Sequence, residues 1–334
     1  MKAIIPVAGI GTRLRPHTHT QPKALVPVAG KPIIGHIIDI LVEGGIKDFI
    51  FITGYLAPKV ESYIKNNYTS PEISIQFVQQ EPREGIGHSI WFARELFQNE
   101  KEVLIMLGDT ILNLNLKDFL SVKHSVVGIK KVEVPGMFGV AEINPEGWIK
   151  RVIEKPTIPK SNLALVGIYK IKNPKLLLEG IEHLMENDKK THGEFQLTDA
   201  LMYMIEKGEK FQTFTVDHWY DCGKKESLLH ANAVLLSNPV FKSVVHKEWP
   251  QTIIIPPVSI GKNCSISNSI IGPNVAIGDN AIVNYTIVKD SIIGAYSELE
   301  SVVLEHSIIG NDSSLKGLSQ SLNIGDNTEI NFMP

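Results

Sequence analysis

The feature that most restricts this chain lies near its C-terminal end. Ile260, Ile266, Ile271, Ile277, Val283, Val288, Ile293, Leu299, Leu304, Ile309 and Leu315 recur five or six residues apart. Glycines follow several of them, at Gly261, Gly272, Gly278, Gly294 and Gly310, and again at Gly325. Three such steps make a coil of 16 or 17 residues, which predicts a three-sided prism with an aliphatic interior and small residues at its corners.

Ahead of the repeat the pattern is different. Residues 3–8 are a short apolar run ending at Gly9, as in a buried strand that feeds a glycine-rich turn. From Pro32 onward Ile33, Ile34, Ile37, Ile38, Leu41 and Val42 keep helical spacing, and Gly44-Gly45 supplies the stop. Strands are expected over 49–53, 73–78 and 103–107, with helices over 59–67 and 88–97. That alternation argues for a parallel sheet covered on both faces. After about Ser125 the strand-like segments 126–132, 138–143, 148–154 and 163–171 follow closely, with Asn144-Pro145-Glu146-Gly147 as a turn. They predict an antiparallel piece built onto the parallel sheet. Helices over 174–187, 197–206 and 225–236 and strands over 211–216 and near Trp219 complete this part. The stretch 237–251 carries Pro239 and Pro250 and no sustained period, which marks a boundary. The expected division is therefore residues 1–237, a linker at 238–252, and the repeat domain at 253–334.

Composition narrows the function classes. Among 334 residues, 33 Lys and Arg stand against 36 Asp and Glu, a formal net charge of −3. No concentrated basic surface is present, so neither nucleic acid nor a membrane is an expected partner. No apolar run approaches the roughly 20 residues of a membrane span, and the apolar core of residues 2–8 is too short for a secretion signal. Two cysteines, Cys222 and Cys264, cannot make a disulfide framework and suit a reducing compartment. The protein is expected to be cytoplasmic.

Gly9-Ile10-Gly11-Thr12-Arg13-Leu14-Arg15-Pro16 directly follows the first strand. Glycines let backbone N–H groups close around phosphate oxygens, and an arginine can clamp them. No Gly-Lys-Ser/Thr follows, so this is not a Walker loop. The third glycine of a dinucleotide fingerprint is missing, and the second strand ends in Thr53-Gly54 without a ribose-binding acid. A second stretch, Gln21-Pro22-Lys23-Ala24-Leu25-Val26-Pro27-Val28, leads to Lys31-Pro32. Asp109 and Asp221 each follow a short strand; such an Asp is usually a turn or cap residue.

Taken together, Gly9 to Pro32 resembles the signature G-x-G-T-R-L-x-P-x-T-x-x-x-P-K-x-L-x-P-V-x-x-K-P of the sugar-phosphate nucleotidyltransferases, with every fixed position met. The likeness is greatest to glucose-1-phosphate thymidylyltransferases with a hexapeptide-repeat tail. It implies an α/β fold: a Rossmann-like mixed-sheet domain followed by a short left-handed parallel β-helix. It also implies that Arg13 grips the triphosphate and that Lys23 sits against the transferring phosphate. Ala8, Gly9, Gly11, Thr12 and Gly108 would line the nucleotide, with Gln80 and Gly85 at its base. Gly139, Glu154, Lys155, Gly167 and Tyr169 would hold the sugar phosphate, and Asp109 and Asp221 would bind Mg²⁺. The implied partners are a nucleoside triphosphate and a sugar 1-phosphate, in a homo-oligomer. His88 and the other histidines show no metal-ligand spacing and read as structural or solvent-facing.

A sugar 1-phosphate is already mostly a dianion at neutral pH, since the second pKa of such a phosphate is about 6. It needs no general base, which fits the absence of a Ser–His–Asp or Cys–His arrangement. Three rival readings stand beside this one. A hexapeptide-repeat acyltransferase needs a catalytic histidine and a long helix, and the repeat holds one histidine, His306. A guanylyltransferase acting on mannose 1-phosphate would share the motifs. A non-catalytic sugar-nucleotide sensor would keep the fold.

Overall fold

The computed structural model describes residues 1–238 and 249–317. Most of the expected linker and everything after 317, including Gly325, lie outside the described residues. The chain divides into two compact units, Met1–Leu235 and a second that begins at Leu236.

The first unit opens with β1 (Lys2–Pro6), a hairpin of β2 (Pro27–Val28) and β3 (Lys31–Pro32), and helix α1 (Ile33–Glu43). Then come β4 (Asp48–Thr53), α2 (Ala57–Asn67), β5 (Ser74–Gln79), α3 (Ile86–Phe92), α4 (Arg94–Phe97) and β6 (Val103–Met106). β1 pairs in parallel with β4 and β6, and β4 with β5. Alternation along these strands sends Ile4, Ile50, Ile52, Val103 and Ile105 into a core with Leu177, Ile181 and Leu201 of later helices. Ile5, Phe49, Phe51, Leu104 and Met106 point the other way and are equally buried. Two buried faces explain why these strands are continuous apolar runs.

The antiparallel half follows. β7 (Thr110–Asn113), α5 (Leu116–Ser121), β8 (Ser125–Lys131), β9 (Gly139–Ile143), β10 (Ile149–Glu154) and β11 (Leu163–Ile171) lead to α6 (Pro174–Glu186) and α7 (Leu197–Glu206). β12 (Phe211–Thr215), β13 (His218–Asp221) and α8 (Lys225–Ser237) close the unit. β11 is the joint between the halves: it runs antiparallel to β6, β8 and β9. Several details differ from the sequence expectation: the β2–β3 hairpin and α5 were not foreseen, and β12 pairs in parallel with β8 inside the antiparallel half. The helix expected over 88–97 starts at Ile86 and breaks at Ala93, and β7 was not anticipated. β7 is four residues long and pairs only with β13, about a hundred residues away, so no local pattern announces it.

The second unit is built from three sheets of four short parallel strands each. Ile253, Ile270, Ile287 and Val303 stack in register on one face. Ile266, Ile271, Ile277, Val283, Val288, Ile293 and Leu299 fill the interior, with Ile260, Leu304 and Ile309 packed against it. This is the prism expected from the repeat. Leu315, at the last described coil, is 36% exposed. The corners are mostly turned by residues in left-handed conformation, including Asn263, Asn268, Asn274, Asn280 and Asp312, types that tolerate positive φ. The column Gly261, Gly278 and Gly294 has another purpose. A Cβ on Gly278 would lie 2.5 Å from the Ala295 nitrogen of the next coil.

That contact is backbone and cannot give way. Gly278→Val should therefore destabilise the repeat by about 2 kcal/mol or more, read as a lower denaturation midpoint for this unit. Valine at Gly147, where nothing lies within 4 Å of the added carbon, meets no such contact, and its cost is confined to the strain of a side chain at φ 86°.

Candidate active site

The carboxyl ends of β1 and β6 face one cleft, the place where open α/β sheets gather ligands. The turn after β1 bends at Gly11, which holds φ 72° and ψ 41°. A Cβ there would lie 2.9 Å from Lys23 Cβ, so only glycine lets Lys23 pack against the turn. The Thr18 hydroxyl donates to the Gly11 carbonyl at 2.8 Å and closes the loop. Lys23 starts a short helical turn, and its Nζ donates to Asp109 Oδ2 at 2.6 Å.

Asp109 stands between β6 and β7, and Asp221 is the last residue of β13. The β7–β13 ribbon sets Asp221 opposite Thr110, and the Cys222 amide donates to the Asp109 carbonyl at 3.1 Å. That register brings the two carboxylates together. Gly223 keeps the space beside them open: a Cβ there would sit 2.7 Å from Arg13 Nη2 and 2.9 Å from Asp221 Oδ1.

The two acids are driven apart electrostatically. Burial alone would push the Asp109 carboxyl up, but the Lys23 ammonium, its hydrogen bond, and Arg13 hold it below the usual carboxylate range. Burial and then the Asp109 charge push Asp221 up, and Lys23 and Arg13 offset this only in part.

Two cavities meet here. The larger, about 660 Å³, is lined by Ala8, Gly9, Gly11, Thr12, Lys23, Gln80, Gly85, Gly108 and Asp109. The smaller, about 160 Å³, is lined by Arg13, Gly139, Glu154, Lys155, Gly167, Tyr169 and Asp221. Ile86 and Leu107 belong to both walls. The residues expected around the nucleotide thus line one cavity and those expected around the sugar line the other. Arg13 is the exception, lying on the smaller cavity beside the acids.

The sheet explains the grouping on the smaller side. Glu154 is opposite Gly139 in the β9–β10 pair, and the Leu107 amide donates to the Gly167 carbonyl at 2.8 Å. Glu154 Oε2 accepts from the Thr198 hydroxyl at 3.2 Å, and Lys155 Nζ lies 3.3 Å from Glu154 Oε1. Lys155 has φ 40° immediately before Pro156, a conformation that side chains there rarely take. Tyr169 is buried; burial, then the charges of Glu154 and Asp109, push its hydroxyl up, so it remains a donor. Sequence reasoning missed Ser89 and Glu194 on the larger cavity, and Met137, Gln196, Thr198 and Trp219 on the smaller. None of them sits in a local motif. His88 is buried and joins Gln80, as its structural reading anticipated.

An α/β sheet that delivers a glycine turn, two basic side chains and paired acids to the meeting of two cavities defines a phosphate-handling enzyme class. Residues 2–238 match the family model described as nucleotidyl transferase, and the chain belongs to that family. It is 32% identical over 330 residues to the bifunctional protein GlmU of Methanococcus vannielii, covering 95% of this chain and 73% of that one. It is 29% identical over 346 residues to the glucose-1-phosphate thymidylyltransferase of Streptomyces antibioticus, covering 99% and 93%. A UDP-glucose pyrophosphorylase solved with UDP-glucose superposes with a TM-score of 0.62 at 27% identity, over 71% of this chain and 98% of the other. No helix among the described residues is long and apolar enough to cross a membrane.

Members of the family generally use a divalent metal. The acids here fit one: a charged carboxylate stands beside another whose ionisation is resisted by its neighbour, and a dication relieves that conflict.

The conflict has a measurable sign. Because the folded state raises the Asp221 pKa, stability contributed by its protonated form is lost as pH rises from the unfolded value through the folded one, so ionisation weakens folding toward neutral pH. In excess chelator at pH 7, Asp221→Asn should raise the thermal midpoint by about 2 °C or more, and the difference should vanish at acid pH. Asp109→Asn should lower the midpoint at pH 7, because it leaves Lys23 half-buried without its partner. Addition of Mg²⁺ should stabilise the wild type and neither variant.

Proposed function

We propose that the protein joins a nucleoside triphosphate, dTTP or UTP, to a sugar 1-phosphate such as glucose 1-phosphate, giving a nucleotide-sugar and pyrophosphate. The observation that carries this reading is the meeting of the two cavities at Asp109 and Asp221, with Lys23 on one side and Arg13 on the other. The likeness to thymidylyltransferases and to a UDP-glucose pyrophosphorylase supports it.

A phosphate oxygen of the sugar 1-phosphate attacks the α-phosphorus in line. That P–O bond forms as the bond to the bridging oxygen breaks, and pyrophosphate leaves with the electron pair. The nucleophile is already a dianion, so no side chain has to take a proton. The barrier is the approach of two polyanions. Lys23 screens charge on the α-phosphoryl oxygens, and Arg13 does so beside the acids. Lys155 holds the phosphate of the sugar, while Glu154 and Tyr169 meet its hydroxyls. Asp109 and Asp221 would hold Mg²⁺, which supplies charge stabilisation at the phosphates. Gln80 and Gly85 face the base, where a Gln amide matches a pyrimidine edge.

The test is pyrophosphate release from a panel of four nucleoside triphosphates with several sugar 1-phosphates. Release with dTTP or UTP and glucose 1-phosphate is expected, and release with no pair would overturn the reading. Lys23→Ala should lower kcat about 10²-fold. Lys155→Ala should raise KM for the sugar 1-phosphate more than it lowers kcat. Wild-type kcat in the first variant, or weakened triphosphate binding in the second, would reverse the assignment of the two cavities.

The repeat serves assembly in this reading. Its outward column Ile253, Ile270, Ile287 and Val303 leaves Ile253 60% and Val303 76% exposed, an apolar stripe suited to homo-oligomer contact. Removing the residues after Asn238 should reduce the oligomer in light scattering while some turnover persists. A full-length protein that is monomeric would exclude the assembly role.

A further inference from the structure

Gln80 is 3% exposed, at the wall of the larger cavity. Its Nε2 donates to the Gly85 carbonyl at 3.2 Å and lies 3.4 Å from Nδ1 of His88. His88 is itself 6% exposed, edge-on to Phe92 at 5.0 Å and tilted against Phe195 at 6.1 Å. A carbonyl oxygen only accepts, so Gly85 fixes which end of the amide is nitrogen. Nδ1 must then offer a lone pair, and a neutral imidazole protonated at Nε2 does so. The Pro82 carbonyl gives the ring an acceptor of its own.

With Nε2 committed to two acceptors, Gln80 Oε1 is left as an acceptor, and no donor among the described residues takes it. An acceptor at that point matches a base edge carrying a ring N–H. Uracil, thymine and guanine have one; cytosine and adenine present a ring nitrogen lone pair instead. We infer that His88 is a positioning residue: it locks the Gln80 amide so that Oε1 meets a base with a ring N–H. The inference rests on the proposed placement of the base at Gln80.

Protonating His88 would turn Nδ1 into a donor facing another donor. Gly85 prevents the amide from simply flipping, because Oε1 would then face a carbonyl oxygen. Either way the Oε1 acceptor is lost. The charges that face His88 are Glu84 of the preceding loop and Lys190 before α7, which also lie 3.9 Å from each other. Burial, with Lys190, outweighs Glu84 and holds the imidazole below its usual range. Beyond the weakening that protonation of the triphosphate itself causes, nucleotide binding should therefore weaken further when His88 takes a proton in the acid range.

The experiment is titration calorimetry of the full chain with UTP, dTTP and CTP, beside steady-state kinetics, for His88→Leu and His88→Asn. Leucine removes the acceptor. Asparagine keeps an oxygen that can take the place of Nδ1 and does not titrate. His88→Leu should weaken UTP and dTTP about tenfold, the size of one lost hydrogen bond. It should narrow the preference over CTP by a similar factor, with kcat and the KM for sugar 1-phosphate within about threefold. His88→Asn should bind as the wild type does at neutral pH and weaken less steeply than the wild type as pH falls. A leucine variant that keeps both affinity and preference overturns the inference, as does one that loses kcat and all three nucleotides together. Should leucine fail to fold, an asparagine variant whose binding falls with pH as steeply as that of the wild type overturns it. Absence of pyrophosphate release in the wild type would sink the proposed reaction instead, since these affinities are read without turnover.

Discussion

Two carboxylates held side by side in a half-buried cleft repel one another, and the front unit is organised around the ion pair that permits it. Lys23 reaches Asp109 at 2.6 Å from 86 positions earlier in the chain. It keeps one acid charged while leaving the neighbouring acid reluctant to ionise. Its position depends on a left-handed glycine, because any other residue at Gly11 would push Lys23 Cβ away. The position of Asp221 depends on a ribbon outside the main sheet. The residue that holds this pair together is therefore also the one to which the proposed reaction assigns the transferring phosphate.

What could be read in the sequence follows how local its physics is. The run from Gly9 to Pro32 is legible because its glycine turn is fixed by its own residues and its signature is contiguous in the chain. The repeat is legible because every coil meets the same demand, aliphatic inward with room for the next coil. The meeting of Asp109 with Asp221 was expected only through the family resemblance and not from local pattern, because β7 has no pattern of its own and pairs with a strand far along the chain. For the same reason Thr198 and Trp219 escaped notice. Each comes from an element chosen by packing, and only the folded sheet carries it to the smaller cavity.

The expectation for Arg13 shows where a motif stops being informative. Its neighbours in the turn face the larger cavity, yet the guanidinium comes to rest by Gly223 and the acids, on the smaller one. A short helical turn over Thr12–Leu14 separates the direction of Arg13 from that of Thr12, and spacing alone does not encode that rotation.

The pairing of Thr110 with Asp221 also orders events in time. Domains form as the chain emerges from the ribosome, N-terminal parts first. The glycine turn, Lys23 and Asp109 come out early, but their acidic counterpart is the final residue of β13. A nascent chain halted before His218 would have its lysine and one acid in place and nothing to set against them. The pair of acids to which the proposed reaction assigns the metal is thus completed by almost the last strand of its unit.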